Sequence, residues 1–166
     1  TTYSQTIWDT YYDSDEDGFG SFVFEARRPF HPERLMELVH GDAFDAVVRS
    51  KGLVWLATRN DYGGEWSQAG SLFSLTPAGL WAAASDREEW ADDPEFARDV
   101  AEVWVEPWGD RRQEIVIIGQ HLDEDRLRSE LTACLLQDEE MKGGPETWRA
   151  LLDPFAAWDE PDEQFT

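Results

Sequence analysis

Any chemistry in this chain has to come from few residue types. His31, His40 and His121 are the only histidines, Cys134 is the only cysteine, and Lys51 and Lys142 are the only lysines. A lone cysteine excludes an internal disulfide and any all-cysteine zinc site. Cys134 follows Leu127 and Leu131 at helical spacing, so it reads as a packed thiol rather than a nucleophile. No two histidines share a helical turn. His31 at a helix start and His121 beside a strand end could meet in space as zinc ligands, or each could be a hydrogen-bonded loop histidine. A phosphate-binding Walker A loop needs Gly-Lys-Ser/Thr, and neither Lys51-Gly52 nor Lys142-Gly143 supplies it. Catalytic triads are recognised by geometry rather than order, and none can be read here. The carboxylates read as a solvated face, with no isolated pair in an apolar context. Asp13, Asp15, Asp17 and Gly18 match the opening of a calcium loop, D-x-D-x-D-G. The bidentate Glu that such a loop needs would fall at Phe24, with Glu25 one residue late, and an acidic turn accounts for the same residues.

The cations are more informative because they are scarce. Fourteen Lys and Arg stand against 36 Asp and Glu, for a net charge of −22 over 166 residues. They gather at Arg27-Arg28-Arg34, at Arg49-Lys51 with Arg59, and at Arg111-Arg112. If the first strand pairs antiparallel with a central strand over 115–118, Arg27 and Arg28 lie near Arg111 and Arg112. If the second strand runs parallel to the first, Arg59 joins them. Such a spot suits a carboxylate-bearing partner or an anionic ligand. The same arginines could instead pair locally with Glu25, Glu33, Asp61, Asp110 and Glu114. The candidate partner-binding set is therefore Arg27, Arg28, Arg49, Lys51, Arg59, Arg111 and Arg112, with no catalytic, cofactor or metal residue assigned. The acidic field disfavours nucleic acid. No apolar run approaches the ~20 residues of a membrane span, and no signal peptide is visible.

The elements that position these residues follow from pattern. A hydrophobic fraction of 41% and nine Trp argue for a folded core. Ile115 to Ile118 is an unbroken β-branched run, as in a strand buried on both faces. Asp123 then caps a helix bearing Leu127, Leu131, Cys134 and Leu135. Phe19–Ala26 reads as the first strand, and Pro32 opens a helix that Gly41 stops. Leu53–Thr58 reads as a second strand, Asp61-Tyr62-Gly63-Gly64 as a turn, Ala69–Leu75 as a third strand and Leu80–Ala84 as a short fourth. Asp93-Pro94 starts another helix, and Pro145 a last short one. Trp55 and Trp104 read as core. Trp66, Trp81, Trp90 and Trp108 neighbour turns, where they could form an aromatic contact patch or pack. The order β-α-β-β-β-α-β-α predicts an α+β domain: a mostly antiparallel sheet of four to five strands with helices on one face. Residues 1–18 read as an acidic lead-in, 19–152 as the domain and 153–166 as a frayed acidic tail. Thr1 is not an initiator methionine, which suggests a piece of a longer chain.

Several segments in order carry a resemblance. They are Arg27-Arg28-Pro29-Phe30-His31-Pro32-Glu33-Arg34-Leu35, then Arg49-Ser50-Lys51-Gly52 with Trp55-Leu56-Ala57, then Gly109-Asp110-Arg111-Arg112-Gln113-Glu114 through Ile118-Gly119. Asp138-Glu139-Glu140-Met141, Gly144-Pro145-Glu146 and Asp153-Pro154-Phe155 complete the set. Together they resemble the C-terminal domain of the CobW-like GTPases, a family of metal chaperones and cobalamin-synthesis proteins. The resemblance implies an accessory, cytoplasmic domain that recognises a client protein or relays nucleotide state. Its partners would be an N-terminal GTPase domain and a client such as a zinc metalloprotein. In such proteins GTP, magnesium and a Cys-rich zinc motif belong to that other domain, and no catalytic residue carries over. Relatives that recruit a ribosome-silencing factor leave a plain protein-interaction module as the alternative.

Overall fold

A computed structural model describes residues 18–158, so the calcium-like Asp13, Asp15 and Asp17, most of the lead-in and the last eight residues lie outside the described part. Within it, β1 (Phe19–Ala26) is followed by α1 (Pro32–His40), β2 (Val47–Val54), β3 (Tyr62–Ala69), β4 (Leu72–Leu80), α2 (Arg87–Ala91), α3 (Pro94–Val103), β5 (Gln113–Gln120), α4 (Glu124–Ala133) and α5 (Asp138–Arg149). Short 3-10 turns occupy Ala57–Arg59 and Ala82–Ala84. The five strands form one sheet in the order β1-β5-β2-β3-β4, every pair antiparallel. This is the α+β architecture expected from the sequence. Among the described residues no helix is long and apolar enough to cross a membrane.

β5 sits second in the sheet, hydrogen-bonded on both sides, which explains its β-branched composition. Ile115 and Ile117 point to one face with Phe22, Phe24, Val54 and Trp66. Leu35 of α1 and Leu127 and Leu131 of α4 cover them, each nearly inaccessible to solvent. Asp123 caps α4 by accepting from the Arg126 N–H, as its position predicts. Cys134 closes the same face. Burial raises its thiol to about 11, the behaviour of a packed sulfur rather than a nucleophile.

The middle strands differ from the sequence expectation. The second strand is Val47–Val54, not Leu53–Thr58, and the Arg49-Lys51 stretch is inside it rather than leading to it. Gly52 lets β2 approach β5, since a Cβ there would stand 2.0 Å from the Glu114 carbonyl oxygen. The Gly63-Gly64 pair begins β3 instead of turning the chain: a Cβ on Gly64 would press on Val54 and Leu75. The turn is at Gly70, in the left-handed region, and a single edge strand, β4, replaces the two expected over 69–84. Pro77 is tolerated there because an edge strand has N–H groups without ladder partners. Composition suggested a turn at Gly63-Gly64; close packing between strands requires Gly64 instead.

Candidate functional site

The candidate cations converge, in part, at one end of the sheet. There the ends of β1 and β2 meet the start of β5, as antiparallel β1–β5 and β5–β2 pairing requires. The segment 109–113 ties this end together. Gly109 has φ +72, and a Cβ on it would collide with Ala83 and the Trp104 ring. Asp110 is buried and accepts from the Ala82 and Ala83 N–H groups, both at 2.9 Å, so its carboxylate caps the turn after β4. Arg111 is buried too. Its Nε donates to the Asn60 carbonyl at 2.7 Å and its Nη1 to that of Trp108, while Asp61 lies 3.8 Å away. Burial lowers the Arg111 guanidinium from its ordinary value, with Asp61 and Asp110 opposing. Arg112 donates to the Asp110 carbonyl and faces Glu114 at 3.6 Å. Gln113 is inaccessible: its Oε1 accepts from the Trp55 N–H at 2.8 Å, and its Nε2 donates to the carbonyls of Arg28 and Trp55.

The other arginines here act the same way. Arg27 donates to the carbonyls of Gly109 and Arg111; burial, and next Arg112, lower its guanidinium. Arg28 reaches the Leu136 carbonyl and Asp138, and Arg34 the Leu135 carbonyl and Glu140. Arg34 holds the Glu140 carboxyl below its usual range. Arg59 forks onto Asp153 with bonds of 2.9 and 3.1 Å, donates to the Phe155 carbonyl, and lies 4.4 Å from the Trp158 ring centre. These contacts draw residues 153–158 from the sheet end onto the core face of β3 and β4, where Phe155 joins the core beside Phe73 and the Trp158 indole N–H donates to the Leu75 carbonyl. A cleft of about 950 Å³ opens beside this strap, lined by Asn60, Tyr62, Pro77, Arg149 and Trp158 among others.

Arg49 and Lys51 lie elsewhere. Their register partners on β5 are Ile118 and Val116, so they project from the middle of the sheet, on the side away from Ile115 and Ile117. Sequence proximity had grouped them with Arg59, which stands past the far end of β2.

The tryptophans also sort differently. Trp66 and Trp81 are buried. Trp108 packs 5.8 Å from Trp55 and 5.1 Å from Trp148, and Trp90 sits against Phe96. Trp104, expected in the core, is 36% exposed because α3 ends at it and its N–H donates to Glu106. The internal uses of Asp110 and Gln113 are not evident in the sequence. The signal available was a polar pair flanking arginines directly before a strand.

His31 and His121 do not meet. His31 follows the end of β1, bonded through its N–H to the Cys134 carbonyl, while His121 follows the end of β5 beside Gly18, at the opposite end of the β1–β5 ladder. Among the described residues no group of three or more His, Cys, Asp and Glu side chains could hold a metal ion. With Cys134 buried and its thiol raised, this donor set does not fit zinc. Gly52 lies in a strand and Lys142 in a helix, so neither Lys-Gly pair forms the strand-to-helix loop that cradles a nucleotide.

Residues 19–135 match the family model described as cobalamin synthesis protein cobW C-terminal domain. A protein of Dictyostelium discoideum named zinc-regulated GTPase metalloprotein activator 1 is 38% identical over 151 residues, which are 89% of this chain and 32% of that protein. A zinc chaperone of Mycobacterium tuberculosis is 39% identical over 140 residues, 83% of this chain and 35% of that one. The chain thus spans about a third of the length of the curated relatives it matches. The crystal structure of the Zn(II)-bound YjiA GTPase from E. coli aligns with a TM-score of 0.47 at 17% identity, over 72% of this chain and 30% of that one.

Proposed function

We propose a function from one premise: the chain belongs to the CobW C-terminal domain family. Our reading is that it serves as the client-recognition or regulatory domain of a cytoplasmic, GTP-dependent metal chaperone with zinc as cargo. GTP, magnesium and the cargo metal would be handled by a GTPase portion outside this domain, and the client would be a zinc-dependent protein. The observation that carries the reading is the match to two zinc-handling relatives over nearly all of this chain but only about a third of theirs. A folded module with its own core, matched in that way, supports an accessory role.

In this reading nucleotide state acts through contact. GTP or GDP in the GTPase portion shifts the balance between two arrangements of the domains, which hides or exposes a client surface. Of the seven candidate cations, we assign Arg27, Arg28, Arg59, Arg111 and Arg112 to shaping the strand end. Arg49 and Lys51 we assign to contact. The test is hydrogen exchange on this chain fused behind the GTPase portion of the Dictyostelium relative, with a non-hydrolysable GTP analogue and with GDP. Amides of this domain are expected to change protection with the nucleotide. Identical exchange in both states would end the reading.

A further inference from the structure

The sheet has a side that α1 and α4 do not cover, and its composition changes in steps along the strands. The register places Ser21, Ile118, Arg49, Ala69 and Leu72 on one cross-strand row of that side, and Val23, Val116, Lys51, Ser67 and Ser74 on the next. The third row brings Glu25, Glu114, Leu53, Glu65 and Thr76. Two rows are therefore aliphatic, small or cationic, and the carboxylates begin only at the third. A bulge between Val47 and Arg49 leaves Val48 outward as well, at 52% exposure, beside an exposed Arg49 and an exposed Leu72.

The side chains of Arg49 and Lys51 have no hydrogen bond or ion pair among the described residues, in a chain of net charge −22. Arg98 and Arg149 share that condition but stand on separate helices. On β2 the two cations are neighbours on one face, and their cross-strand partners are Ile118, Ala69, Val116 and Ser67, none of which is acidic. An acidic protein that leaves two adjacent cations unpaired among aliphatic side chains presents a complement to carboxylates on an apolar surface.

Area decides which partner fits. Five strands about 4.8 Å apart and two rows about 7 Å apart bound the patch at roughly 300 Å², and within it Val116 is only 4% exposed. A free partner of standard affinity needs about 800 Å² on each side. A patch this small holds its occupant when both belong to one polypeptide, because tethering raises the effective concentration to about the millimolar range. We propose that Val23, Ile118, Val48, Arg49, Lys51 and Leu72 form the docking face for the GTPase portion, through a surface on it that presents carboxylates beside aliphatic side chains. This rests on the functional reading above.

Zero-length carbodiimide coupling tests it, because it joins a lysine amine only to a carboxylate in direct contact, and Lys51 and Lys142 are the only lysines here. The protein is the same fusion with the Dictyostelium GTPase portion, coupled with GDP and with the GTP analogue, then mapped by mass spectrometry. In one of the two states Lys51 is expected to link to Asp or Glu of the GTPase portion. Arg49→Glu is expected to lower that yield roughly tenfold, while Arg98→Glu and Arg149→Glu leave it unchanged. Arg49→Gln gives an intermediate yield, which separates charge from folding; a thermal melt checks each variant. Lys51 linked only within its own domain, or Lys142 linked to the GTPase portion in its place, overturns the docking face. Nucleotide-dependent hydrogen exchange would still stand in that case, so the two failures are distinguishable.

Discussion

Two regions of this molecule carry scarce positive charge, and they use it in opposite ways. At the sheet end, Arg27, Arg28, Arg59, Arg111 and Arg112 donate to backbone carbonyls of other segments or pair with nearby carboxylates. On the face of β2, Arg49 and Lys51 have neither kind of partner among the described residues. The difference lies in the backbone around them. At the sheet end several strands stop together, and loops leave buried carbonyls that no ladder satisfies; a guanidinium with five donors in a fixed fork can satisfy several at once. In mid-strand the ladder takes up most carbonyls, and the cross-strand partners of Arg49 and Lys51 are Ile118, Ala69, Val116 and Ser67, none of them acidic, so these cations are left to solvent or another protein. Clustered arginines are thus weak evidence for a binding site where strands end, and stronger evidence where the sheet is continuous.

Substitutions can break this contrast, and Gln113 is the largest lever. Gln113→Leu keeps the volume and leaves the Trp55 N–H and the Arg28 carbonyl without partners in a fully buried position. The expected loss is about 3–5 kcal/mol, read from urea denaturation. Arg59→Met comes next. Its pair with Asp153 is largely buried, the two side chains being 14% and 18% exposed. Removing it should cost about 2–3 kcal/mol and release the strap, seen as faster hydrogen exchange over residues 153–158. If that segment stays protected, Phe155 rather than Arg59 holds it.

A pH titration touches the covered face. Cys134 has its thiol raised to about 11 by burial, against about 9 for a free thiol. Between these values the unfolded chain loses its proton first, so stability is full below pH 9 and declines from there toward 11. Cys134→Ala should abolish that part of the alkaline decline in melts across this range. The smallest effect belongs to β2. Arg49→Ala with Lys51→Ala should shift folding stability by less than about 0.5 kcal/mol. A larger loss would mean that these cations have a structural role and would erase the contrast between the two regions.

Hydrophobic period and capping chemistry determined much of the fold by themselves. The β-branched run ahead of a capped helix marked β5 and α4, because a central strand and a helix with one apolar stripe leave local signatures. The scarcity and grouping of cations were equally legible, as was the ordered set of segments that pointed to the family. Tertiary structure decided the rest. Gly64 looks like a turn residue in sequence, yet it and Gly52 are glycines because a neighbouring strand or side chain fills the space a Cβ would take. Which arginines find partners within the chain depended on where carbonyls are orphaned, and that exists only once three strand ends meet. Local pattern encodes what a segment prefers; the partners that satisfy its polar groups come from residues distant in the chain, such as Asn60 for Arg111 and Asp153 for Arg59.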